Sequence, residues 1–132
     1  MRLKTTEKRQ QPRVSFKPNK QLSAQVQFAQ EDSTPIKAYI VNISETGLCF
    51  YLFEKEHPPI KKGTHLILLK IEGEALLQDI NDVDMVVQWS TYMEALKYEL
   101  NGCQFLNMLP DYRSQLREFI HNLVESKIRS DK

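Results

Sequence analysis

The chain has 132 residues, 41% of them hydrophobic and 27% charged, which suits one compact domain with a core of its own. Its 18 basic and 17 acidic residues leave a formal net charge of +1, so bulk charge makes no case for DNA, RNA or membrane binding. No apolar run reaches the roughly 20 residues that span a bilayer, and the first residues lack a signal-peptide core, so the expectation is a cytoplasmic protein without membrane insertion.

Residues 1–20 hold Arg2, Lys4, Lys8, Arg9, Arg13, Lys17 and Lys20 against one acid, Glu7, and are interrupted by Pro12 and Pro18. They read as a flexible basic arm. Ala24, Val26 and Phe28 alternate with Gln25 and Gln27, the pattern of a half-buried strand. Ile36 to Ile43 is a second strand, and Gly47 marks the bend out of it. Leu48 to Phe53 is apolar on both faces, which predicts a central strand. Thr64 to Glu72 is rich in Ile and Leu and follows the turn at Lys61-Lys62-Gly63. Gly73 to Asp84 reads as an irregular, solvated acidic loop whose spacing departs from a calcium loop.

Val83 to Tyr92 and Leu96 to Leu106 predict a hairpin, with Trp89 in the core or the barrel wall rather than serving as a base-stacking platform. Leu96, Tyr98 and Leu100 share one phase, Cys103 and Phe105 the other, which predicts a bulge at Gly102. Pro110-Asp111 is a helix start, and Tyr112, Leu116, Phe119, Ile120 and Leu123 follow helical spacing. The fold expected is mainly β: a six-stranded antiparallel barrel over 21–109 closed by a helix over 110–132. Periodicity alone does not separate it from other small barrels.

Cys49 and Cys103 lie in apolar strand contexts without metal-ligand spacing, and read as buried thiols rather than a disulfide. His57, His65 and His121 are scattered. No His-paired nucleophile, metal cluster or Gly-rich phosphate loop is present in the sequence, so no enzyme, metal or cofactor is expected.

Two short motifs carry the functional reading. Arg9-Gln10-Gln11-Pro12-Arg13 spells RxxxR, and Asn42-Ile43-Ser44-Glu45-Thr46-Gly47 spells NxSxxG. Asn42 and Ser44 are two apart, so on a strand they face one way while Ile43 points into the core. Gly47 offers backbone freedom for a turn. In this order, with Val86-Val87-Gln88-Trp89, Gly102-Cys103-Gln104-Phe105 and a closing helix, the chain resembles the PilZ domain family, with Asn42 where the family often carries Asp.

The resemblance implies a PilZ-like split barrel and a receptor for the bacterial second messenger cyclic di-GMP. It implies a site built from Arg9 and Arg13, whose guanidinium groups fork onto phosphate or guanine, and from Asn42, Ser44 and Gly47. Lys8 adds a third charge, which in the family goes with binding a stacked pair of ligands. The mechanism expected is ordering of the arm on binding, read by an unidentified downstream protein, with the chain a monomer or weak dimer. The alternative is a PilZ-fold interaction module that does not respond to nucleotide.

Overall fold

The strands of this chain pair in a closed circuit. The computed structural model describes residues 14–15, 22–29, 34–53 and 57–130, by backbone alone at 14–15 and 126–130. The strands are β1 (Val14–Ser15), β2 (Ser23–Phe28), β3 (Ile36–Ile43), β4 (Gly47–Leu52), β5 (His65–Glu72), β6 (Val83–Met93) and β7 (Tyr98–Phe105), followed by helix α1 (Pro110–Ser130). β2 to β7 form a closed antiparallel circuit, β2–β3–β4–β7–β6–β5 and back to β2. Closure leaves the six-stranded barrel no long exposed edge. β1, inside the segment expected as an arm, pairs with the far end of β3, Val14 opposite Ile43 and Ser15 opposite Asn42.

The inward residues are those the alternation marks. Ala24, Val26 and Phe28 on β2, Ile40 and Ile43 on β3, and Leu48, Phe50 and Leu52 on β4 are buried in one core. β5 adds Leu66, Leu68 and Ile71, and β6 adds Val83, Met85 and Val87. Leu116, Phe119 and Ile120 of α1 join the same core. Burying each contributes about 1.5–3 kcal/mol, so the helix is held by its apolar stripe rather than by propensity.

The acidic loop departs from expectation. Ala75–Leu77 forms a 3-10 turn, with the Glu74 carboxylate accepting from Leu76 N at 3.4 Å. Leu77 and Ile80 are fully buried. The charges around them hid two core residues.

The bulge lies across from Gly102, not at it. Val87 pairs with Cys103 and Trp89 with Gly102, so the extra residue is Gln88 on β6. β7 keeps one alternation throughout, with Asn101, Cys103 and Phe105 buried. Tyr98 and Leu100 are apolar residues on the outer face, where Tyr98 belongs to an aromatic ladder. Tyr39 stacks on Tyr51 at 5.3 Å and Tyr51 on Tyr98 at 4.6 Å, with Phe53 edge-on to all three. Cross-strand aromatic pairs of this kind stabilise a sheet from outside the core. Trp89 is likewise not in the core: the bulge turns it outward, and it is 45% exposed.

Candidate ligand-binding face

The NxSxxG motif forms the end of β3, a tight turn and the start of β4. Ile43 points into the core, as expected. Ser44 is fully buried. Its hydroxyl accepts from Thr46 N at 3.2 Å and donates to the Gly47 carbonyl at 3.4 Å, while its own N–H donates to that carbonyl at 2.9 Å. Ser44 therefore builds the turn and does not present its hydroxyl on the face shared with Asn42.

Gly47 has a different reason from the one its sequence context suggests. Its φ is not positive. A Cβ at this position would overlap the carbonyl oxygen of Cys103 on β7. The turn is pressed against the neighbouring strand, where Phe105 N donates to Thr46 O at 2.8 Å, and only glycine fits that approach.

Glu45, one of the three variable positions of the motif, is 7% exposed. Arg117 on α1 grips it with two parallel bonds, Nε to Oε2 at 3.2 Å and Nη2 to Oε1 at 3.0 Å. This fork geometry is the strongest form of the carboxylate–guanidinium contact. The hydrogen bond and then the charge of Glu45 raise the Arg117 pKa above its ordinary value.

A lateral row runs across the outer face beside the turn. Asn42 pairs with Cys49, Cys49 with Gly102, and Gly102 with Trp89. Asn42 is half-buried and points away from the core that holds Ile43. Cys49 is buried yet stands apart from the core cluster. A Cβ on Gly102 would overlap Nε1 and Cε2 of Trp89, so the indole lies directly on the glycine. The row thus holds an amide and an indole ring on one surface. Gln88 and Gln104 border it, joined at 2.9 Å.

Cys49 and Cys103 are both buried and form no disulfide. Burial, then the neighbouring Cys49, push the Cys103 thiol up to about 12. Among the described residues no group of three or more His, Cys, Asp or Glu side chains is arranged to hold a metal ion. No helix among them is long and apolar enough to cross a membrane.

Lys8, Arg9 and Arg13 lie outside the described residues. Arg13 is bonded to Val14, the residue opposite Ile43. Of the predicted site residues, Asn42, Ser44 and Gly47 come together at one end of β3 and β4. Sequence reasoning assigned Trp89 to the core or barrel wall and missed the pair Glu45–Arg117. Trp89 was legible only as a glycine opposite an aromatic on the adjacent strand, a recognised rescue pairing. No local signal links Glu45 to a residue 72 positions away.

A comparison with curated proteins finds no match. In fold the chain is similar to the PilZ domain with c-di-GMP of YcgR from Escherichia coli, at 16% identity and a TM-score of 0.71, covering 96% of this chain and 99% of that one. It is similar to MrkH of K. pneumonia in its c-di-GMP complex, at 16% identity and a TM-score of 0.70 over 94% of this chain and 56% of that one. It is also similar to the Bacillus subtilis inhibitor of motility MotI/DgrA, at 15% identity and a TM-score of 0.66 over 92% and 53%. The chain thus spans about half the length of the last two. The PilZ domain family model matches residues 7–122. With that match over most of its length, the chain belongs to the PilZ domain family.

Proposed function

We propose that this PilZ domain is a cyclic di-GMP receptor that binds the messenger on the face carrying Asn42 and Trp89. The observation that carries the reading is the pairing of β1 with the motif strand, Val14 beside Ile43 and Ser15 beside Asn42. It brings the chain that follows RxxxR to the NxSxxG turn. Two of the three structures compared above hold c-di-GMP.

Each residue has a distinct part. Arg9 and Arg13 fork onto phosphate oxygens or the O6/N7 edge of guanine. Asn42 offers its amide oxygen to guanine N–H groups. Ser44 and Gly47 hold the turn against β7 and so fix where Asn42 stands. Trp89 supplies a flat apolar surface on which a guanine stacks. Lys8 adds a charge beside Arg9, which favours an intercalated pair of ligands over one, because two stacked molecules bring four phosphates together.

Binding orders the basic segment against the barrel, and the altered surface signals to a downstream protein. The domain acts by binding, without catalysis, cofactor, DNA or RNA, as a cytoplasmic monomer or weak dimer. Titration calorimetry with cyclic di-GMP tests this, with GMP and cyclic di-AMP as controls. Heat with cyclic di-GMP alone supports the receptor. Absence of heat and of any melting-temperature shift at excess ligand leaves the interaction module that ignores nucleotide.

A further inference from the structure

We propose that Arg117 is a positioning residue for this site: it neutralises and holds Glu45, the acid that the motif turn places beside the binding face. The inference rests on the proposed function, because it supposes that the ligand is an anion.

Glu45 directly follows Ser44 and lies three residues from Asn42. A carboxylate there falls within about one Debye length of phosphates bound on that face, and repels them. The protein does not send this carboxylate into solvent. The Glu45 side chain is 9% exposed and is turned onto α1, where both of its oxygens are taken by Arg117. The arginine side chain is 61% exposed. A long, solvated side chain is thus fixed in one geometry by a nearly buried partner.

That arrangement does two things. It cancels the negative charge that the turn otherwise sets beside the face. It also ties the turn to the first half of α1, which is itself seated on the core through Leu116, Phe119 and Ile120. The turn cannot swing without dragging a packed helix. Other ion pairs among the described residues lie elsewhere: Lys70–Glu72 at a strand end, His121–Glu125 along α1, and His57–Glu99 in a separate region. Removing Arg117 leaves an unpaired carboxylate in a nearly dry turn. Removing both charges restores a neutral turn.

The test is a cycle of Arg117→Ala, Glu45→Gln and the double variant, each titrated with cyclic di-GMP at low and high salt and melted without ligand. Arg117→Ala should weaken binding about ten-fold at low salt and less at high salt, where exposed charge is screened. Glu45→Gln should bind as wild type or more tightly, and the double variant should return to within about two-fold of wild type. Wild-type affinity in Arg117→Ala overturns the proposal. So does a double variant as weak as Arg117→Ala, since Arg117 then acts on the ligand itself. Should Arg117→Ala not fold, the foldable Glu45→Gln decides: a marked loss of affinity in it sinks the masking role. Failure of wild type to bind cyclic di-GMP is a separate result and removes the proposed function.

Discussion

Trp89 is the only tryptophan of the chain, and the register places it in line with Asn42 across four strands. Trp89→Ala should weaken cyclic di-GMP binding by about 1–3 kcal/mol, the usual worth of one base stacked on an aromatic ring. The fold should be spared, because the side chain lies outside the core. In wild type the same ring reports directly: its fluorescence should change on titration with cyclic di-GMP and stay constant with cyclic di-AMP. Arg9→Ala and Arg13→Ala should each cost about 1.5–3 kcal/mol of binding per lost charge-assisted contact. Ligand-free melting temperatures within a degree or two of wild type would separate that loss from unfolding. Cys103 gives a pH prediction. Its thiol titrates near 12 in the fold against an ordinary 9.0, so above pH 9 the unfolded chain binds fewer protons than the native one. Stability is full below about pH 9 and falls by up to about 1.4 kcal/mol per pH unit as pH rises towards 12. Urea melts of wild type and Cys103→Ala at pH 8 and 10.5 check it: the variant should show a shallower alkaline decline.

Among elements, the two glycines of the site are glycine for different reasons, and their substitutions should part accordingly. At Gly47 the obstacle to a Cβ is the backbone carbonyl of Cys103, which cannot move without breaking the β4–β7 ladder. Gly47→Ala should destabilise the fold by about 1–3 kcal/mol, the range for forced overpacking. At Gly102 the obstacle is an exposed side chain, Trp89. Gly102→Ala should leave melting nearly unchanged while displacing the indole, seen as a shift in tryptophan emission and a weaker affinity for ligand. Equal losses of stability in the two variants would contradict this distinction. β6 and β7 also show where sequence reading stops. β7 faces its Asn101 inward and its Tyr98 and Leu100 outward. Polarity therefore runs against burial at that end, and a period-2 rule marks a slip at Gly102 where none exists. The true irregularity at Gln88 has no local signal, because Val87 and Trp89 are both apolar.

At the scale of the whole molecule, the barrel and helix were legible because their apolar residues keep strand and helix period over most of the chain. Ile36 to Ile43 and the Pro110 helix start coincide with the observed element starts. What periodicity missed are pairings set by closure. Leu77 and Ile80 are drawn into the core because α1 packs over them, although their own segment is acidic. Arg117 meets Glu45 because the helix closes the end of the barrel where the motif turn lies. Of the candidate site the NxSxxG turn was legible as a motif, but the outer row of Asn42, Gly102 and Trp89 exists only once β3, β4, β7 and β6 are set side by side. The ligand-driven change should also be visible across the molecule: amide exchange in residues 1–13 should slow on adding cyclic di-GMP, and equal protection with and without ligand would remove the ordering mechanism.

On the proposed reading, cyclic di-GMP sits on the face between the motif turn and Trp89. Amide and indole N–H chemical-shift mapping as cyclic di-GMP is added to the ligand-free domain tests this. Large shifts are expected at Asn42, at the Ser44–Gly47 turn, at Gly102 and at the Trp89 indole, with the far strands β2 and β5 little changed. Saturating shifts confined to another face, or none at any ratio, would contradict it.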